Sequence, residues 1–193
     1  MTSANTVTGT QRAAAERELI NFAFLSTSVA ELLIAETQGR LIAVIMQERR
    51  DEDALIHELR RRFPRADLRH SQTALKSWVR TIANFIERPK GNLDLPLDIR
   101  GTLFQRKVWE HVLTVPFGTT TTFSDVAAAV GSPRAVRAVG SACTRNPLEF
   151  AIPCHRVIRS DGRFSGGSDW GDRRQAALVR REAAAEALST SRE

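Results

Sequence analysis

Two apolar runs, Leu32-Leu33-Ile34-Ala35 and Leu41-Ile42-Ala43-Val44-Ile45, stand on either side of Gln38-Gly39. Short continuous apolar runs bounded by turn residues predict buried strands, here joined through the Gln38-Gly39 turn. The period then changes. Between Asp51 and Phe63 the apolar positions are Leu55, Ile56, Leu59 and Phe63, a helical stripe that Pro64 ends. Leu75, Trp78, Val79, Ile82, Phe85 and Ile86 make a second stripe, closed by Pro89. Strands followed by helices predict a small α/β leading domain over residues 19–97, with Gly91 to Pro96 as the connector. Residues 1–18 are rich in Thr, Ala, Ser and Gln and carry little core pattern, which predicts a flexible tail or a short helix around Arg12 to Leu19.

The second half changes character. Thr102 can accept from a helix N-terminus and Gln105, three positions on, can reach back, so a capping box opens a helix that runs to about Val115 and stops at Pro116-Phe117-Gly118. Four threonines, Thr119 to Thr122, favour a β segment or turn. Ser124-Asp125 can cap a short helix through Val130, and Gly131 ends it. Ser132-Pro133 then reads as N-cap and first position of another helix through about Arg145. Two short helices joined by a Gly-Ser turn make a helix-turn-helix candidate. The expected unit is a mainly α-helical domain over 98–188, with 189–193 as a tail.

Net charge is +6 over 193 residues, with 42% hydrophobic and 26% charged positions. That balance suits a soluble globular chain whose partner is a polyanion, nucleic acid first and anionic membrane second. Met1-Thr2-Ser3-Ala4 does not begin a signal peptide, and no apolar run approaches the roughly 20 residues that cross a bilayer. Cys143 and Cys154 are the two cysteines, too few for a disulfide framework. No cysteine precedes Cys143, which excludes a cysteine-based zinc domain ahead of it. The expected home is the reducing cytoplasm.

The chemistry concentrates in Ile152-Pro153-Cys154-His155-Arg156-Val157-Ile158. Pro153 cannot donate to a sheet ladder, so strand pairing should stop before the thiol. Apolar flanks argue for a buried segment whose polar centre faces a pocket. His155 offers a base or a stabilising cation, lowering the thiol pKa or taking its proton during attack. An ordinary buried thiol is the competing reading. The helix after Gly131 carries Arg134, Arg137 and Arg145 with no acidic residue before Asn146, beside small Ala135, Ala138, Gly140, Ser141 and Ala142. A DNA-facing helix and a core helix with a solvated basic edge both fit.

Further matches come in order: Arg100-Gly101-Thr102, Phe104-Gln105, Val108-Trp109, Pro116-Phe117-Gly118, Arg137-Ala138-Val139-Gly140, Asn146-Pro147, Pro153-Cys154-His155-Arg156, Ser165-Gly166-Gly167 and Arg181-Glu182. Asn146 lies eight positions before Cys154, and Arg137 nine before Asn146. From Arg100 to Glu182 the chain resembles the O6-alkylguanine-DNA alkyltransferases, and its first half resembles the leading domain of the Ada type, ribonuclease-H-like in fold. The resemblance implies DNA repair by irreversible, single-turnover transfer of the alkyl group from O6-alkylguanine, with O4-alkylthymine as a further substrate, onto Cys154. It makes His155 the activator, Glu182 the group that orients it, and Asn146 the holder of the turn. It places Arg134, Arg137, Ala138, Ser141, Thr122 and Phe123 on DNA, with the second helix in the minor groove and Arg137 filling the stack where the damaged nucleotide leaves. Ser165, Phe123 and Pro153 would meet the base. Neither cofactor nor metal is implied, and the protein would act as a monomer on duplex DNA, away from membranes. A non-catalytic lesion sensor or helix-turn-helix regulator is the alternative, and a cysteine hydrolase the third reading. Two departures stand out. The chain has no tyrosine, so Phe123 takes a position that is tyrosine in the family, and the loop Ser165 to Gly171 is longer than in the Ada type. Cys143 has no activating neighbour in sequence and reads as packing.

Overall fold

The computed structural model describes residues 17–164 and 169–190. Ser165, most of the loop before Gly171, and residues 1–16 and 191–193 of the expected tails 1–18 and 189–193 lie outside the described residues. Three strands come first: β1 (Leu19–Ser26), β2 (Glu31–Thr37) and β3 (Arg40–Gln47). The hairpin between β2 and β3 turns at Gln38 and Gly39, both with positive φ (49° and 72°), the backbone that a two-residue hairpin requires. Helix α1 (Glu52–Arg62) follows, then β4 (Asp67–His70) and α2 (Lys76–Glu87). Strand order is β3-β2-β1-β4, with β4 parallel to β1 and the other pairs antiparallel.

Two strands escape the periodicity. Leu19, expected to end a tail or short helix, begins β1 instead, whose burial does not alternate cleanly because both sheet faces are covered. Glu18, assigned to the tail, is also anchored: its carbonyl accepts from the Asp67 amide at 2.8 Å and its carboxylate meets Arg100 at 2.6 Å. β4 has four residues, three of them polar, and forms by edge pairing with β1.

One sheet face packs Ile20, Phe22, Leu33 and Ile42 against Leu55 and Leu59 of α1. The other packs Ile34, Leu41 and Val44 against Leu75, Ile82 and Ile86 of α2 and, in the same cluster, against Val108, Trp109, Val126, Val139 and Leu178 of the second half. The two halves therefore share a core. Their junction also occupies the outer edge of β3. There the Leu41 amide donates to Pro96 at 2.8 Å, the Leu41 carbonyl accepts from Asp98 at 2.9 Å, and the Val44 amide donates to Pro147 at 2.8 Å. An edge strand left bare would be a pairing hazard, and here it anchors the segment leading to Cys154.

The second half holds α3 (Leu103–Val112), β5 (Thr121–Thr122), α4 (Phe123–Ala129), α5 (Val136–Thr144), a 3-10 turn (Cys154–Arg156), β6 (Val157–Ile158) and α6 (Asp169–Thr190). The Thr102–Gln105 capping box forms as expected. Trp109, buried in the core, donates its indole N–H to the Ala142 carbonyl at 3.0 Å and locks α3 to α5. The cap of α4 is Thr122 rather than Ser124, because Asp125 three positions on completes a reciprocal box with it. Gly131 ends α4 at φ 73°, with its amide on Ala128 (3.0 Å) and the Ser132 amide on Ala127 (2.9 Å), a Schellman pair. Ser132 and Pro133 do not start the next helix. The Ser132 carbonyl is taken by the Ala135 amide at 2.8 Å in a turn, and α5 begins only at Val136. α6 runs to Thr190, past the expected domain end at 188. No helix among the described residues is long and apolar enough to cross a membrane.

Gly118 and Gly131 share φ 73°, but an added Cβ at Gly118 would lie 2.9 Å from Cβ of Glu186 on α6, whereas Gly131 faces open space. Gly131→Ala should cost about 1–2 kcal/mol, the left-handed penalty alone. Gly118→Ala should cost more, since it also pushes α6 outward. Equal shifts in the denaturant midpoint would show that α6 yields freely.

Candidate active site

The thiol sits at the end of an arch that one buried side chain closes. The Asn146 carboxamide donates to the Ile152 carbonyl at 2.9 Å and to Cys154 Sγ at 3.4 Å, while its oxygen accepts from the Leu148 amide at 2.9 Å. At the crown Phe150 adopts φ 69°, left-handed for a residue with a large Cβ substituent, at a cost of order 1 kcal/mol that the surrounding bonds hold in place. Pairing ends at the Glu149–Ile152 bridge, as the proline predicts. Pro153 (φ −78°, ψ 58°) then makes an inverse γ-turn in which the Cys154 amide donates to the Ile152 carbonyl at 2.7 Å. The 3-10 turn follows, and β6 pairs with β5 at Thr121–Val157, which brings the start of α4 to the thiol.

Behind the thiol lies a buried relay. His155 Nε2 is 2.7 Å from Glu182 Oε1, with Glu182 on α6 only 3% exposed. A carboxylate can only accept, so Nε2 carries the proton and Nδ1 of the neutral ring is left as the base. Glu182 is also gripped by Arg156, whose Nε donates to Oε2 at 2.8 Å and Nη2 to Oε1 at 3.1 Å. The other end of that guanidinium donates to the Val115 carbonyl at 2.7 Å and to Asn92 Oδ1 at 2.8 Å. Burial pushes the Glu182 carboxyl up, but the hydrogen bond and charge of His155, then those of Arg156, outweigh it and hold it below the usual range. Gln175, seven residues before Glu182 on α6, donates to the carbonyls of His155 (3.0 Å) and Val157 (2.9 Å) and fixes the turn from behind.

Cys154 opens into a cavity of about 140 Å³ lined by Phe123, Cys143, Asn146, Phe150 and Arg174 among others. That is comparable with the ~150 Å³ that holds a benzene, room for an alkyl group or one ring. The neighbouring Cys143 thiol, then burial, then the charge of Glu149 push the Cys154 thiol well above its usual range, against a smaller opposing pull from Asn146. Among the described residues no hydrogen bond joins Cys154 Sγ to the imidazole. Of the two activations the sequence allows, the upward push on Cys154 runs against a lowered thiol pKa.

The structure brings Cys154, His155, Asn146, Glu182 and Phe123 to one place. Pro153 is buried and shapes the turn, while Ile152 and Cys154 on either side of it face the cavity. Thr122 is committed to the α4 cap, its hydroxyl donating to Asp125 at 2.7 Å. Arg134, Arg137, Ala138 and Ser141 are all exposed while Val139 and Ala142 are buried, so the basic edge is one face of the α5 segment. Four features were missed. Arg156 is a member of the relay, Gln175 braces the turn, Glu149 pairs with Arg174 at 3.0 Å in the cavity wall, and Cys143 faces the cavity as well as packing on the core. Gln175 had a signal, since it shares an inward helical face with Leu178 and Glu182.

Glu182 also sets a pH response. Its folded pKa is depressed, so the stability it contributes is present above the ordinary glutamate range, near 4.3, and is lost as pH falls below it. Glu182→Gln leaves the Arg156 charge buried without its counter-charge, a loss of about 3–5 kcal/mol at pH 7. The gap to wild type in thermal unfolding should narrow steadily below pH 4. A constant gap would mean that Glu182 is held by packing alone.

With this geometry in hand, comparison with known proteins is informative. A family profile described as "6-O-methylguanine DNA methyltransferase, DNA binding domain" matches residues 103–184. The chain is 40% identical over 168 residues to the bifunctional transcriptional activator and DNA repair enzyme Ada of Escherichia coli, covering 87% of this chain and 47% of Ada. It thus spans just under half the length of that relative. The inducible methylated-DNA–protein-cysteine methyltransferase of Bacillus subtilis is 36% identical over 133 residues, 69% of this chain and 74% of its own. A crystal structure of Mycobacterium tuberculosis OGT in complex with DNA superposes with TM-score 0.72 at 28% identity, covering 86% of this chain and 94% of that one. The chain belongs to the methylated-DNA–protein-cysteine methyltransferase family.

Proposed function

We propose that this protein repairs alkylated DNA by direct reversal, taking the alkyl group of O6-alkylguanine, and of O4-alkylthymine, irreversibly onto Cys154. The observation that carries the reading is a thiol at the mouth of a ring-sized cavity, next in sequence to an imidazole oriented by a buried carboxylate. In the reaction the S–C bond forms as the C–O6 bond breaks, in line at carbon. The thiol proton passes to His155 Nδ1, directly or through water, while Glu182 stabilises the resulting imidazolium, as in Cys-His-carboxylate hydrolases. The electron pair of the broken bond goes to the base, which leaves as guanine once protonated. No cofactor takes part, and the product thioether cannot be turned over. A pure lesion sensor would have no use for the thiol and its relay.

On the DNA side the α4–turn–α5 unit is read as a helix-turn-helix, in keeping with the DNA complex of the M. tuberculosis relative. Its second helix would enter the minor groove, about 6 Å wide, where the small side chains of Ala138 and Ser141 allow close approach. A damaged base must leave the stack to reach a cavity of this kind, and Arg137, exposed on the same face, would fill the gap. Phe123 offers a stacking wall to the base, Thr122 and Arg134 meet the backbone, and Ser165 reaches the base from the loop before α6. The leading sheet, order β3-β2-β1-β4, is read as ribonuclease-H-like, and residues 98–188 as the catalytic domain. A monomer suffices for one lesion, and a free thiol acceptor suits the cytoplasm.

Incubation with duplex DNA containing O6-methylguanine should add one methyl group to the intact mass, located on Cys154 and absent in Cys154→Ala. Methyl found on Cys143, or transfer by Cys154→Ala, would overturn the assignment. Cys154→Ala should still bind DNA, because phosphate contacts dominate affinity.

Arg137→Ala should slow repair of duplex DNA far more than reaction with the free base O6-benzylguanine, which needs no extrusion. Equal losses on both substrates would assign Arg137 to folding instead.

With the thiol pushed up, His155→Ala leaves only the small thiolate fraction to attack. Its residual single-turnover rate should climb in proportion to hydroxide between pH 7 and 9, while wild type changes much less. Parallel profiles would show that the imidazole takes no proton.

A further inference from the structure

Cys143 is a second thiol in the cavity that the proposed reaction leaves unused. It lies on α5 eleven positions before Cys154, and these two are the only cysteines of the chain. Both are partly exposed free thiols, and both line the same cavity. A single residue ties them together: the Asn146 amide donates to the Cys143 carbonyl at 3.2 Å, and its side chain donates to Cys154 Sγ at 3.4 Å. The Cys143 thiol is also the strongest single influence on Cys154.

We propose that Cys143 and Cys154 form a dithiol that a peroxide oxidises to an intramolecular disulfide, a second and reversible modification of the acceptor sulfur. In the first step a base, His155 Nδ1 or hydroxide, takes the Cys154 proton and the thiolate sulfur attacks a peroxide oxygen. The O–O bond breaks, a sulfenic acid forms, and with hydrogen peroxide one water leaves carrying the thiol proton. In the second, Cys143 sulfur attacks the sulfenyl sulfur, the S–OH bond breaks, and the Cys143 proton departs with a second water. Two thiols lose two electrons and two protons, and hydrogen peroxide is reduced to two waters. In the disulfide the Cys154 sulfur can accept no alkyl group, a consequence that rests on the function proposed above, while disulfide formation itself does not. A dithiol reductant restores both thiols by exchange. Trapping by Cys143 also stops Cys154 short of sulfinic acid, which thiols cannot reverse.

The test uses the reduced full chain and hydrogen peroxide alone, with no DNA. The intact mass should fall by two hydrogens, digestion should give one peptide pair joined through Cys143 and Cys154, and dithiothreitol should reverse both. In Cys143→Ser and Cys143→Ala the mass should instead rise by two or three oxygens on Cys154 and stay raised after dithiothreitol. Oxygen addition on Cys154 in wild type without loss of two hydrogens would overturn the proposal. So would disulfide-linked dimers as the product, no oxidation of Cys154, or variants that behave as wild type. Wild-type peptide mapping decides the point even if neither variant folds. Alkyl transfer by the never-oxidised protein is assayed separately, so loss of the repair reading and loss of the dithiol are told apart.

Discussion

One buried carboxylate, shared between an imidazole and a guanidinium, is the interaction on which the rest of the site depends. Glu182 and Arg156 are both almost fully inaccessible, and two charges taken out of water cost several kcal/mol each unless geometry and additional hydrogen bonds compensate. Here they do. Arg156 makes two bonds to the carboxylate and uses both donors of Nη1 on the Val115 carbonyl and Asn92, so the pair ties α6, the segment just after α3 and the connector into one knot. His155 enters that knot as a third member. Because His155 and Arg156 hold the Glu182 carboxyl below the usual range against the pull of burial, the carboxylate stays ionised in a dry place, where the proposed transfer would need it to balance a charged imidazole.

The leading half has a physical part in this, and its part is an edge. β3 would end the sheet with unpaired amides and carbonyls, yet residues 96–98 and 147–148 fill that edge. The segment that starts the arch at Asn146-Pro147 is therefore laid against a rigid sheet before it turns to present Cys154. The strained backbone at Phe150 is tolerable because both feet of the arch are held, one by the Val44 amide and the other by the Asn146 carboxamide. A second link runs across the surface, where Arg181 of α6 donates to the Ile86 carbonyl and to Ser28, which itself binds Glu87. Through the shared core and these ties, two halves that the strand-then-helix pattern and the Gly91–Pro96 connector divide at residue 97 together position one site.

Much of this was legible in the residues because it is local. The β2–β3 hairpin follows from its apolar runs, α1 and α2 from their stripes, and the start of α3 from its capping box. What was missed is non-local. β4 is a strand only because β1 offers it an edge, and β1 hides its period because both faces are covered. Ser132-Pro133 carries a good helix-start signal that loses to a turn, since the Schellman ending of α4 already claims the Ser132 amide. In the site, the Cys154–His155 pair was readable from residue type and its apolar flanks, whereas Asn146, Glu182 and Phe123 were picked out only through the resemblance. Arg156 stood in the same run, but its partners lie 26 to 64 residues away in sequence, and no spacing rule reaches them.

For the alkyl transfer proposed above, the upward pressure on the Cys154 thiol fits better than a pre-formed thiolate would. Under that proposal the acceptor is spent in one reaction, and the protein gains from keeping the sulfur quiet until a substrate fills the cavity. The adjacent Cys143 and burial both push the Cys154 thiol up, which favours the protonated form at rest. The imidazole, held by Glu182 through Nε2, keeps Nδ1 free, and in the proposed reaction that nitrogen would take the proton at the moment of attack. Sulfur is soft enough that full deprotonation beforehand is not needed for displacement at carbon, whereas a permanent thiolate would consume itself on any alkylating agent in solution. Reactivity is thus conditional on geometry, and the same closeness of two thiols that suppresses the resting nucleophile is what makes a disulfide between them the natural product of oxidation.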